Sequence, residues 1–206
     1  PPDAPGPAVP PVPAGDAGLL TVPNAITFAR LCAVPAAIWL IARGRHEAAF
    51  WVFVIAGASD GVDGWWARAR NARSAIGAVL DPVADKALLV SVFVALAITD
   101  GLPDWIAILV VFRDLLIVGG ALALSWAGSK PAIRPLPVSK LNTAAQIVLA
   151  ALALLGRAYG VVPPWVLDAA IWFTAATTLA SGAAYVRSAV RHHEAPTGKP
   201  PTGNRA

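Results

Sequence analysis

Methionine is absent from this chain, cysteine occurs once, and charged residues make up only 14% of 206. The lone thiol, Cys32, excludes an intrachain disulfide and leaves no Cys/His spacing that would suit zinc. The missing methionine extends to the initiator, so the expectation is a chain either trimmed or given without its true start. There is no internal repeat, no Walker loop and no nucleophile elbow. His46, His192 and His193 lie away from the acids described below and carry no assigned chemistry. A formal charge of +4 and a pI near 9.7 would suit nucleic acid. With so few charges, juxtamembrane lysines and arginines explain that balance better, and no nucleic-acid partner is expected.

What the chain does have is apolar length. Its hydrophobic share is 57% and its mean hydropathy +0.63. Apolar runs occupy residues 25–42, 48–67, 79–98, 105–127, 141–155 and 165–186. Each is near the ~20 residues that cross a hydrocarbon core of ~30 Å. The expectation is an all-α polytopic membrane protein, six transmembrane helices in one bundle over residues 23–191. Residues 1–22, rich in Pro, Ala and Gly, read as a disordered tail, as do 192–206. The first tail has neither the basic nor the apolar region of a signal peptide.

Basic residues orient the bundle. Arg68, Arg70 and Arg73 follow the second run, and Lys130, Arg134 and Lys140 follow the fourth. Arg187, Arg191, Lys199 and Arg205 follow the sixth. The alternate loops hold only Arg43, Arg45 and Arg157, so ten residues against three put both termini in the cytosol.

Four carboxylates stand inside these runs. Residues 60–68 read D-G-V-D-G-W-W-A-R, and after eight more residues 77–85 read G-A-V-L-D-P-V-A-D. Asp60 and Asp63 are spaced i,i+3 and Asp81 and Asp85 i,i+4, so each pair shares one helix face. A carboxylate near the centre of a membrane helix costs on the order of 2.5–3.5 kcal/mol on insertion scales. Four together need cations, and Lys86 is the only adjacent base. Divalent metal is the economical partner, and oxygen-only ligands suit Mg²⁺ or Mn²⁺ better than zinc.

The pattern D-x-x-D-G-x-x-A-R-x8-G-x3-D-x3-D resembles the signature of the CDP-alcohol phosphatidyltransferases. Asp60, Asp63, Gly64, Ala67, Arg68, Gly77, Asp81 and Asp85 fill all of its fixed positions. The resemblance implies transfer of a phosphatidyl group from CDP-diacylglycerol to an alcohol with release of CMP, in an inner-membrane enzyme of bacterial type that forms a homodimer. It implies metal at Asp60, Asp63 and Asp81, and Asp85 as general base, shared with a second metal. Gly64, Ala67, Arg68, Ser74 and Gly77 would line the cytidine diphosphate pocket. Asn24 and Thr27, in a P-N-x-x-T-x-x-R start ending at Arg30, would join that pocket, with Asn24 also a candidate N-cap.

Arg113, Lys140 and Lys86 are the candidate acceptor-binding residues. An arginine near the middle of the fourth helix must face protein or a polar cavity, and a guanidinium matches phosphate geometry. The bland alternative for Arg113 is an ion pair with a neighbouring helix. Asp114 would brace Arg30 or Lys86, and Ser139 would cap the fifth helix with Lys140 in its first turn. Arg113-Asp114 and the S-K-L-N-T run at 139–143 resemble single-motif cardiolipin synthases. The D-P-V-A-D-K run resembles members that use glycerol 3-phosphate. The expected acceptor is therefore a glycerol-containing lipid, leaning to phosphatidylglycerol, with glycerol 3-phosphate as the alternative. A membrane prenyltransferase and an ion carrier are remoter readings, which CMP release would separate. The acid depth implies a site facing the cytosolic leaflet.

Overall fold

A computed structural model describes the backbone over residues 22–70, 75–126 and 137–193, and side chains over 28–59, 83–120 and 137–187. The described residues form six helices and no strand. They are α1 (Val22–Ala42), α2 (His46–Arg70), α3 (Ala75–Ile98), α4 (Asp104–Trp126), α5 (Pro137–Tyr159) and α6 (Pro164–His193). Five of the helices cover an apolar run whole, and α4 covers the fourth up to Trp126, the last described residue there.

Proline explains several of the starts. Pro137 and Pro164 are first residues of α5 and α6, and Pro23 is the second of α1. At such positions the missing N–H has no intrahelical partner to lose, and the fixed φ suits the helix. Asn24 therefore lies inside the first turn of α1 rather than capping it. Ser139 likewise lies inside α5, where its carbonyl accepts from the Thr143 hydroxyl at 3.1 Å. Helix α6 runs through His193, two residues into the stretch expected to be tail. The remaining tail residues, 1–21 and 194–206, lie outside the described residues, as does most of the loop before α5.

The other ends close on backbone turns. After α1 the Gly44 amide donates to the Ile41 carbonyl and the Arg45 amide to that of Leu40, with Gly44 at φ +70°. That is the left-handed Schellman termination, in which glycine avoids the Cβ penalty. Asp100 takes the same role after α3 at φ +55°, and the Gly101 amide donates to the Leu96 carbonyl at 2.6 Å. Gly160, at φ +66°, ends α5 through a bond from its amide to the Gly156 carbonyl.

Helix α1 packs on α2 and α3; α5 packs on α6, α2 and α3; α4 packs on α6 and α3. Phe93, Leu96, Ile106, Leu149 and Leu154 are fully enclosed at the centre. Outside, the helices expose large apolar side chains on every side, among them Phe28, Ile55, Ile98, Ile108, Leu115, Trp165 and Leu179. Monomeric soluble proteins rarely present so extensive an apolar surface. Among the described residues, α5 and the 164–187 part of α6 are long and apolar enough to cross a membrane.

Candidate active site

The backbone is helical at all eight fixed positions of the signature. Asp60, Asp63, Gly64, Ala67 and Arg68 lie on α2, and Gly77, Asp81 and Asp85 lie on α3. The side chains of Asp60, Asp63, Arg68 and Asp81 lie outside the described residues, as do those of Asn24 and Thr27 and the whole of Ser74. Asp85 is the member of the acid set whose contacts are described.

Arg30 of α1 meets Asp85. Its Nη1 donates to Asp85 Oδ1 at 2.6 Å, and its Nε to the Ala56 carbonyl of α2 at 3.4 Å. One side chain thus ties α1 to both acid-bearing helices. The Arg30 side chain is 3% exposed and that of Asp85 39%. The guanidinium is enclosed while the carboxylate stays open on one side. A buried arginine needs such a partner, since an unpaired charge in that setting costs several kcal/mol. Sequence reasoning noticed Arg30 as the end of the P-N-x-x-T-x-x-R run and as a possible partner of Asp114, and did not pair it with Asp85.

A second network lies on α4. Lys86 Nζ donates to Asp114 Oδ2 at 2.8 Å, and Arg113 Nη1 to Asp114 Oδ1 at 2.7 Å. Arg113 Nη2 also donates to the Ser139 hydroxyl of α5 at 2.7 Å and to the Ser181 hydroxyl of α6. Asp114 therefore braces Lys86, as expected, but not Arg30, which is held by Asp85. The ion pair of Arg113 is made within its own helix rather than with a neighbour. Adjacent residues point about 100° apart on a helix, yet the long arginine side chain folds back to reach the carboxylate. The neighbouring helices supply hydroxyls instead. Ser139, expected as a cap, is one of them. Lys140 is exposed beside it.

Below Arg113 the polar contacts continue between α5 and α6. Asn142 Oδ1 accepts from the hydroxyls of Thr177 at 3.1 Å and Thr178 at 2.7 Å, all three buried. Gln146, one turn on, is fully enclosed with neither end of its amide hydrogen-bonded to protein. The sequence reading did not include this polar stripe. The signal was present as S-x-x-N-x-x-x-Q on α5, spaced i, i+3, i+7.

Asp85 and the other acid positions of the signature offer oxygen and nothing softer, a donor set that fits a hard divalent cation. Among residues with described side chains, no group of three or more His, Cys, Asp or Glu is gathered. Three of the four signature acids fall outside that set.

Comparison with known proteins gives the arrangement its context. A family model described as CDP-alcohol phosphatidyltransferase matches residues 20–180. The chain is 35% identical over 184 residues to a chloroplastic CDP-diacylglycerol–glycerol-3-phosphate 3-phosphatidyltransferase of Oryza sativa, covering 81% of this chain and 56% of that protein. It is 31% identical over 183 residues to the Bacillus subtilis CDP-diacylglycerol–glycerol-3-phosphate 3-phosphatidyltransferase, covering 81% and 94%. Against the human cardiolipin synthase (CMP-forming) the identity is 30% over 181 residues, covering 80% and 60%. The chain thus spans little more than half of the rice and human proteins. With the signature on two helices and the match running through most of the bundle, this chain belongs to the CDP-alcohol phosphatidyltransferase family.

Proposed function

We propose that this protein transfers a phosphatidyl group from CDP-diacylglycerol to a glycerol-containing acceptor and releases CMP. The observation that carries the reading is the family match over residues 20–180, within which the eight-residue signature falls on helical backbone. The acceptor hydroxyl attacks the phosphatidyl phosphorus, the bond from that phosphorus to the bridging oxygen breaks, and CMP leaves with that oxygen. Asp85 takes the proton of the attacking hydroxyl, a role its partly open carboxylate suits. Arg30 holds that carboxylate in place. Asp60, Asp63 and Asp81 hold Mg²⁺ or Mn²⁺, with Asp85 contributing. The ion supplies charge neutralisation on the diphosphate. Gly64, Ala67, Arg68, Ser74, Gly77, Asn24 and Thr27 form the nucleotide side of the site. Lys140, Lys86 and Arg113 form the acceptor side.

Phosphatidylglycerol is the favoured acceptor, on the Arg113-Asp114 pair and the S-K-L-N-T run at 139–143. Glycerol 3-phosphate is the second reading, favoured by the names and identities of the rice and Bacillus relatives. Both acceptors present a phosphate beside a glycerol hydroxyl, so the same basic residues serve either.

All six helices span the bilayer in this reading, with the acids in the cytosolic leaflet and the protein working as a homodimer. The aromatic residues support that placement. Trp39, Trp51, Trp105, Tyr159 and Trp165 all sit near one end of the bundle, while Trp65, Trp66 and Trp126 occupy helix positions near the other. Two such girdles mark the two interfaces of a membrane.

The test is CMP release by purified protein given CDP-diacylglycerol with each acceptor. Asp60→Asn and Asp81→Asn should each lower turnover by more than about 100-fold, beyond the usual loss from an outer-shell partner. Near-normal turnover of either variant at saturating Mg²⁺ removes the metal assignment. A product formed only from glycerol 3-phosphate selects the second acceptor.

A further inference from the structure

A polar pocket lies at the end of the bundle remote from the acid pairs. His46 opens α2, and Asp60 lies fourteen residues further along that helix, roughly 21 Å away at 1.5 Å per residue. The pocket has a volume of about 450 Å³ and is lined by Arg45, His46, Glu47, Trp51 and Arg157. Arg157, in the last turn of α5, donates from Nη1 to the Thr99 carbonyl at 2.7 Å and from Nε to His46 Nε2 at 3.3 Å. Three helix ends therefore meet on one guanidinium. Gly101 makes room for it, since a Cβ there would lie 3.2 Å from Arg157 Cδ.

The bond from Arg157 fixes the state of the imidazole. Because Nε2 accepts, the ring is neutral and carries its proton on Nδ1. Burial, and after it the Arg157 charge, hold the His46 pKa below its ordinary value, in keeping with that state. Nδ1 is buried and has no protein acceptor, and an N–H without an acceptor is costly to bury. The Arg45 side chain is exposed and makes no ion pair with described residues, and Glu47 is the single acid of the lining. The lining thus offers two guanidiniums against one carboxylate. Trp51 at its edge donates Nε1–H to the Tyr159 hydroxyl at 3.1 Å, which puts aromatic rings beside the cations, as at the headgroup level of a membrane.

We propose that this pocket binds a phosphate-bearing anion, with Arg45 and Arg157 as the charged clamp and His46, tied to Arg157, as the group that reports its arrival. Guanidinium groups match phosphate oxygens in geometry and charge. The phosphate is that of an anionic phospholipid headgroup in the leaflet opposite the acids, or of a soluble phosphate. The inference does not depend on the transfer reaction proposed above.

The test uses the full chain in an uncharged detergent with ¹⁵N-labelled histidine, the His46 signal being assigned from its loss in His46→Gln. Phosphatidylglycerol in mixed micelles and inorganic phosphate are titrated separately while the Nδ1 resonance of His46 is followed. A saturable shift with phosphatidylglycerol alone identifies a lipid headgroup site, and a shift with both identifies a general phosphate site. The Arg45 side chain makes no hydrogen bond among the described residues, so Arg45→Gln keeps the fold, and it should weaken binding about tenfold or more. Arg157→Lys, which retains charge but loses the fork, should weaken it as well. No saturable shift with either probe overturns the proposal, as does an unchanged Kd in Arg45→Gln.

Discussion

The two ends of the helix bundle are held together by different means. At the acid end, charges meet charges inside the protein: Arg30 with Asp85, and Lys86 and Arg113 with Asp114. At the opposite end the described charges form no such pairs. There the backbone closes on itself through Gly44, Asp100 and Gly160, and Arg157 spends its donors on a carbonyl and an imidazole. The difference teaches where each kind of substitution should act. Charges locked against one another fail severely when one is removed. A turn fastened by several small contacts loses them one at a time.

The largest effect should therefore come from Arg113→Ala, which leaves Asp114 and Lys86 without the third member of a largely buried network. Breaking such a pair costs about 3–5 kcal/mol, read as a drop in Tm in detergent, and Asp114→Ala should fall similarly. Its acceptor KM should rise too, since Arg113 belongs to the acceptor side; a higher acceptor KM at an unchanged Tm would leave it a substrate contact alone and break the comparison. Lys140→Ala comes next. Lys140 is exposed, so Tm should hold, while the acceptor KM rises about 10- to 100-fold for a lost charge-assisted bond of roughly 1.5–3 kcal/mol. The KM for CDP-diacylglycerol should move far less. An unchanged acceptor KM in a stable protein takes Lys140 out of the site.

At the other end, Gly101→Ala should cost about 1–3 kcal/mol, because its Cβ would fall 2.9 Å from Leu96 Cδ2 as well as against Arg157. A loss as large as that of Arg113→Ala would erase the contrast between the ends. The smallest effect is one of pH. His46 has a lowered pKa in the folded protein, so the unfolded chain binds the proton more readily. Its contribution is intact above the ordinary histidine value of ~6.5 and is lost as pH falls from there through the folded pKa. A Tm profile over that range should flatten in His46→Gln, and an unaltered slope would free the imidazole from its tie to Arg157.

The helices were legible because each is a long apolar run, and their ends were less so because Pro137 and Ser139 both announce a start. Proline won, and the serine hydroxyl became a partner for Arg113. The helical backbone at the acid positions was legible from spacing, since i,i+3 and i,i+4 are helix intervals. The partner of Asp114 was half legible: Lys86 follows the last acid of the signature and looked available, as did Arg30. Which of the two reaches Asp114 depends on how α1 and α4 sit about α3, and spacing within one helix holds no information on that. The meeting of His46, Thr99 and Arg157 was not legible at all. It joins residues 111 apart in the chain, and Arg157 had been read only as a topology marker.

The stripe of Asn142, Gln146, Thr177 and Thr178 bears on how the chain is made. A lone α5 entering a bilayer would carry an asparagine and a glutamine into hydrocarbon with no partner from α6, whereas the α6 threonines can fall back on carbonyls of their own helix, as Thr177 does on that of Thr174. The two helices are consecutive, joined by a turn of only four residues from Gly160 to Pro163, so the loss of chain entropy on pairing is small. Hydrogen bonds between membrane helices contribute on the order of 1–2 kcal/mol in model peptides. Partitioning as a preformed hairpin gives the Asn142 side-chain oxygen its two hydroxyl donors before it meets lipid. Residues 137–187 are thus suited to enter a bilayer as one unit.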